Sequence, residues 1–188
     1  LSVYSREVNT DELSTGSYDS KALGMGVGFG IPLNEKDTVN IGFNVDMTDI
    51  SLKATSPTRY KNYCTSVSGG TANGCDADEM VLSVGFTSDT RDNVINPREG
   101  YRWSVSSDVS LPALDMQYYK FELSGAHFQP LSDKLTLLTR ADIGYADEYG
   151  DDPYPFFKNY YVGGANSVRG FKQSSIGKKF WDTTVKDW

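Results

Sequence analysis

The sequence predicts an all-β chain: an antiparallel up-and-down meander of about seven strands, part of a transmembrane β-barrel, with a long loop after the last strand. Three observations predict it. Apolar and polar residues alternate with a period of two in segment after segment, as in extended strands whose successive side chains point to opposite faces. The connections between these segments alternate in length, as they do between the outer and periplasmic sides of an outer-membrane barrel. Taken together, the polar faces carry mainly small and mixed-charge groups (Gly, Ser, Asn, Asp, Arg) in place of the Lys, Glu and Thr dressing of a solvated sheet.

Each element follows from its own pattern. Leu1–Val8 reads as a partial strand; it has no basic or apolar leader, so Leu1 is expected to be a cut inside a larger protein. In LGMGVGFGIPL (residues 23–33), Gly24, Gly26, Gly28 and Gly30 alternate with Met25, Val27, Phe29 and Ile31, giving one apolar and one nearly bare face. This is not the G-x-G-x-x-G spacing of a phosphate cradle, and no helical pattern follows it. Val39, Ile41, Phe43, Val45 and Met47 oppose Asn40, Gly42, Asn44 and Asp46; past Thr48 the phase changes, which predicts a bulge or a strand leaving the membrane. Further alternations run over Met80–Thr87, Tyr101–Leu111, Tyr119–Ser124 and Lys134–Tyr145, and no helical stripe stands out. Short connections fall at Asn34–Asp37 and Ser132–Asp133, longer ones at Asn9–Ser17, Thr55–Asp78 and from Ala146 onward. The domain reading is hairpin strands over 1–146 and a long loop over 147–188.

The 188 residues carry a net charge of −7. That argues against a nucleic-acid surface, which requires a basic stripe. No apolar run approaches the ~20 residues of a membrane helix, whereas a barrel strand needs only ~10 alternating residues, so a mean hydropathy of −0.45 is compatible with a barrel. A soluble β-sandwich binding module also alternates, with its polar face outward, and stays open on these grounds.

Cys64 and Cys75 are the only cysteines, in YCTSVSGGTANGC, and are expected to form a disulfide worth ~3 kcal/mol in an oxidising compartment such as the periplasm or cell surface. The pair lacks C-x-x-C spacing and the sole histidine, His127, belongs to another strand, so neither a zinc site nor a nucleophile–base pair is expected. The acidic run Asp147, Glu148, Asp151, Asp152 reads as a solvated loop rim, with a cation site as the weaker reading. No cofactor, metal or enzymatic activity is expected.

The segment YYVGGANSVRGFKQSSIG (160–177) closely resembles the lumen-inserted loop of the outer-membrane protein insertase superfamily. The residues that carry the resemblance are Tyr160, Tyr161, Gly163, Gly164, Val168, Arg169, Gly170 and Phe171, supported upstream by NPREGYR (96–102) and YYKFEL (118–123). Two-partner secretion pores and autotransporter-assembly relatives share the Val-Arg-Gly core. Phe171 followed by Ser175, Ile176 and Gly177 looks like the insertase version, although Lys178 stands where a proline is usual.

The resemblance implies the middle strands of a barrel of about sixteen and a lumen-directed sixth outer loop. It also implies the outer membrane of a Gram-negative bacterium, and a role in folding and inserting unfolded β-barrel proteins alongside outer-membrane lipids and assembly lipoproteins. Physically, Gly163, Gly164 and Gly170 permit the positive φ of a loop that folds back on itself. Arg169 keeps its charge and in a narrow lumen needs acidic partners. In the family these lie on later strands, so Arg169 is expected here without them, as an ordinary exposed arginine. The bare face of Gly24–Gly30 is expected to look into the lumen. An open sheet of this kind is expected to self-associate through its edges.

Overall fold

The computed structural model describes residues 1–10, 17–67, 69–150, 152–165 and 167–177. Among these, eight strands form one sheet: β1 (Ser2–Asn9), β2 (Tyr18–Pro32), β3 (Asp37–Leu52), β4 (Gly74–Asp76), β5 (Glu79–Asp89), β6 (Gly100–Ser110), β7 (Tyr118–Ser132) and β8 (Leu135–Glu148). Neighbours pair antiparallel in the order β1-β2-β3-β5-β6-β7-β8, and the three-residue β4 lies off this path, against β3. The meander is the one the alternation predicts, because each two-faced strand finds its next neighbour in sequence through a turn or loop.

The pairing separates two faces. One carries Gly24, Gly26, Gly28, Gly30, Asn40, Asn44, Asp46, Ser83, Gly85, Ser104, Ser106, Asp108, Lys120, Glu122, Arg140 and Asp142, placed side by side by the register. The other carries the large apolar residues and leaves them uncovered: Met25 at 60%, Phe29 at 63%, Ile143 at 59%. A water-soluble sheet does the reverse.

The exposed apolar band has a definite upper edge. On β2 it runs from Leu23 to Ile31, about 27 Å along the strand, the length a barrel strand spends in hydrocarbon. Directly beyond Leu23 and its partner Met47, the same face carries a charged row across three strands: Glu7 opposite Lys21, and Lys21 opposite Asp49. Lys21 Nζ lies 3.6 Å from Glu7 Oε1, both well exposed, in the place where an apolar surface meets water.

This edge explains the phase change in β3. No bulge is present, since the β2–β3 register runs unbroken from Thr38 to Leu52. The strand continues above the band, its outer face turns polar at Asp49 and Ser51, and Ile50 and Leu52 bury on the opposite face. There they join the main buried cluster with Tyr18, Tyr60, Tyr63, Cys64, Val67, Cys75, Ala77, Met116, Tyr118 and Phe156. The core is thus a cap at the long-loop end of the sheet, on its polar face.

Two short helices in this cap depart from the all-strand expectation: α1 (Thr58–Ser66) and a 3₁₀ turn at Phe156–Lys158. Their signal was present. Pro57 precedes α1, and Tyr60, Tyr63, Cys64 and Val67 follow at i, i+3, i+4 and i+7, one buried helical stripe inside an otherwise polar loop. The alternation at Tyr119–Ser124 also extends further than its pattern suggested: β7 reaches Ser132, with a register irregularity between Pro130 and Ser132 at the strand end, where a residue without an N–H is tolerated.

The glycine ladder on β2 has two different uses. At Gly24 a Cβ would run into Asp46 Oδ1 and lie 2.5 Å from Tyr4 Cζ. The Tyr4 ring crosses this glycine so that its hydroxyl donates to Asp46, joining β1 to β3 over the top of β2. Asn44 fills the place over Gly26 in the same way, whereas at Gly28 the nearest atom to a Cβ is Ile41 O at 3.9 Å. Gly24→Ala is therefore expected to cost about 1–3 kcal/mol by displacing the Tyr4 ring, while Gly28→Ala is near neutral. Urea midpoints of the two variants in the full-length protein check the difference; equal midpoints would contradict the crossing.

Candidate functional site

The loop after β8 has a stalk and a head. The stalk, residues 154–161, is seated on the polar face. Phe156, 6% exposed, stacks on Tyr60 with ring centroids 3.9 Å apart, and meets Tyr18, Tyr63 and Phe157 edge-on at 5.2, 5.4 and 5.4 Å. α1 supplies two of those rings, and the Cys64–Cys75 disulfide, formed as expected, fastens α1 to β4. Burial pushes the hydroxyls of Tyr63, Tyr154 and Tyr161 well above the ordinary tyrosine range, so all three stay protonated hydrogen-bond donors. Tyr154 donates to Lys158 O at 3.0 Å and Tyr161 to Phe156 O at 3.1 Å.

Beneath the stalk lies Glu79, at the first position of β5 and 1% exposed. It accepts a hydrogen bond from Tyr118 Oη at 2.6 Å, and its other carboxylate oxygen pairs with Lys158 Nζ. Lower down, the Tyr160 ring covers Gly144, where a Cβ would lie 2.8 Å from Tyr160 Cζ. Lys120 Nζ sits 4.4 Å from that ring's centre, and the Tyr160 hydroxyl donates to Phe121 O at 3.3 Å.

The head, residues 162–177, is a closed loop. Val162 and Ile176 form an antiparallel bridge, Gly164 N donates to Phe171 O at 3.1 Å, and Ser167 N donates to Gly164 O at 3.1 Å. Gly163, Gly164 and Gly170 have φ of 117°, 98° and 88°, values that side-chain-bearing residues rarely adopt. At Gly163 a Cβ would also lie 3.2 Å from Ser175 N, so the bend needs glycine for space as well as for φ. Val168, Arg169 and Phe171 are exposed on this head, and among the described residues Arg169 has no ion pair.

The remaining candidates do not converge on this site. His127 is exposed on the apolar face, in register with Tyr101 and Thr139. Asp147 accepts from the Tyr145 hydroxyl at 3.0 Å, and Asp151 and Lys178 lie outside the described residues. No group of three potential metal ligands occurs among the described residues. Sequence reasoning found the head but not its seat. Glu79 and Lys158 stand 79 positions apart, and only a phenylalanine–lysine run after a proline, FFK after Pro155, hinted at an anchor.

Comparison with known proteins agrees with this architecture. The chain is 29% identical over 187 residues to the outer membrane protein assembly factor BamA of Neisseria meningitidis serogroup B, a match covering 96% of this chain and 23% of that protein. It superposes on the crystal structure of BamA from Haemophilus ducreyi lacking POTRA domains 1–3 with a TM-score of 0.85 at 21% identity, over 99% of this chain and 37% of that one. The chain therefore spans about a quarter of the curated relative's length. Residues 1–185 match the Omp85 superfamily domain, and the chain belongs to that superfamily.

Proposed function

We propose that this chain is barrel wall and motif loop of an outer-membrane protein insertase, which folds and inserts unfolded β-barrel proteins and works without covalent chemistry. The observation that carries this reading is the pairing of an exposed apolar face, bounded by the Glu7–Lys21–Asp49 row, with a glycine-bent motif loop whose stalk is seated on the opposite, polar face. In the closed barrel the polar face, including Gly24, Gly26, Gly28 and Gly30, is the lumen wall. Assembly lipoproteins and lipids of the outer membrane are the proposed partners, in keeping with the assembly factor that the chain resembles.

The test is depletion of the full-length protein in its host, with assembly of resident outer-membrane barrels followed by their heat-modifiable mobility. Loss of folded barrels of several unrelated kinds supports the insertase. Normal barrels together with failed export of one secreted polypeptide would identify a secretion pore instead.

A further inference from the structure

The apolar band also has an edge at the short-turn end, built differently from the upper one. On β6 the apolar face ends in Trp103 and Tyr101, 37% and 43% exposed. Aromatic residues at the rim of such a band stand at the depth of lipid headgroups. Past them lies the turn of residues 90–99, where Arg98 Nη2 donates to Ser132 O at 3.1 Å and ties the turn to the end of β7. Between turn and strand is an open groove of about 620 Å³, and its walls include Asp92, Glu99, Tyr101, His127 and Gln129.

The groove sorts its polar groups by kind. Carboxylates stand on the turn, while an imidazole and an amide stand on β7, on the face that is otherwise apolar at Leu123, Leu137 and Ile143. Polar side chains on a lipid-facing wall are costly unless something answers them. Among the described residues the side chains of Glu99, His127 and Gln129 have no hydrogen-bond or ion-pair partner. One row further into the band the wall is recessed: Trp103, Gly125 and Ala141 stand side by side, and a Cβ at Gly125 would meet nothing within 4 Å. An occupant that answers the whole arrangement brings a cation to the carboxylates, an acceptor to the β7 donors and an apolar part to the recess.

We propose that this groove binds a phospholipid whose headgroup carries a primary ammonium, of the phosphatidylethanolamine class. The ammonium lies between Asp92 and Glu99 beside the Tyr101 ring, the phosphate accepts from His127 and Gln129, and an acyl chain lies over Gly125 and Ala141. Asp92 already accepts from Arg98 N and Glu99 N, so it shapes the turn as well, and Glu99 is the residue whose charge is free for the ligand. This deepens the lipid partnership proposed above by naming a site and a headgroup. It rests on the apolar face meeting lipid, and lipid retention is read without any assembly assay, so its failure and that of the insertase reading are distinguishable.

The experiment is native mass spectrometry of the full-length protein in detergent, offered equal amounts of dioleoyl phosphatidylethanolamine, phosphatidylcholine and phosphatidylglycerol. The ethanolamine lipid should be retained about tenfold over the choline lipid, whose trimethylated nitrogen has no N–H to donate, and over the glycerol lipid, which has no cation. Glu99→Gln should bring the ethanolamine-to-choline ratio close to one. His127→Leu should lower retention of both lipids several-fold, and Glu7→Gln, at the opposite edge of the band, should leave the ratio unchanged. Equal retention of the three lipids, or a ratio that Glu99→Gln does not move, would overturn the proposal. Preference for the glycerol lipid would do so as well, by assigning a site for anions. A lipid-free dimer lost in Glu99→Gln would overturn it by naming a second copy as the occupant.

Discussion

Arginine at Val84 is expected to lower the stability of the membrane-embedded protein by about 2–4 kcal/mol, whereas arginine at the adjacent Ser83 changes it by less than about 1 kcal/mol. The two positions are neighbours on β5 and differ in the face they occupy. Val84 pairs with Ile41 on the apolar face and is 48% exposed; Ser83 pairs with Gly42 and Asp108 on the polar face. A guanidinium among hydrocarbon must carry water with it or reach an interface, while one among Asp108 and its polar neighbours finds a carboxylate. Folding proteins have only about 5–15 kcal/mol of net stability, so the Val84 variant should also assemble poorly. Urea midpoints in lipid vesicles measure the difference. Equal losses at the two positions would mean that the alternation does not separate lipid from lumen.

Phe156→Ala is expected to destabilise the cap by about 3–5 kcal/mol, the range for truncating a buried phenylalanine. The ring touches four other aromatic rings from β2, α1 and its own loop. The loss should be local, because the strands below the cap hold one another through their ladders. Hydrogen exchange should therefore rise in peptides covering 58–66 and 154–161 and stay unchanged in β6 and the lower half of β7. Phe157→Ala, at a partly buried position, should produce a smaller rise. Uniform acceleration across the sheet would show that the cap supports the whole fold; no acceleration would show that the aromatic cluster contributes little.

The turn at the opposite end owes its shape to polar caps instead. Asp92 accepts hydrogen bonds from Arg98 N at 2.9 Å and Glu99 N at 3.2 Å, which holds its carboxyl below the ordinary range, and Asn93 Oδ1 accepts from Ile95 N and Asn96 N. Here the local sequence is enough, because Asp and Asn satisfy their own turn's backbone donors.

The identity, order and facing of the seven long strands were determined by the sequence, though not the three-residue β4, because a period of two assigns every side chain to one of two faces wherever one face meets lipid. The bend of the motif loop was equally local: Gly163, Gly164 and Gly170 stand where backbone φ is positive. The phase change at Thr48 was also visible, but its cause was not. A bulge and a change of surroundings leave the same mark on a sequence, and only the unbroken β2–β3 ladder together with the cap over Ile50 and Leu52 distinguishes them. What tertiary structure alone decided is the seat of the loop. Glu79, Tyr118, Gly144, Phe156 and Lys158 meet because successive antiparallel crossings bring the starts of β5 and β7 and the upper part of β8 under one stalk. A buried glutamate at the start of a strand has no local signature; its meaning comes from the lysine that the fold delivers to it.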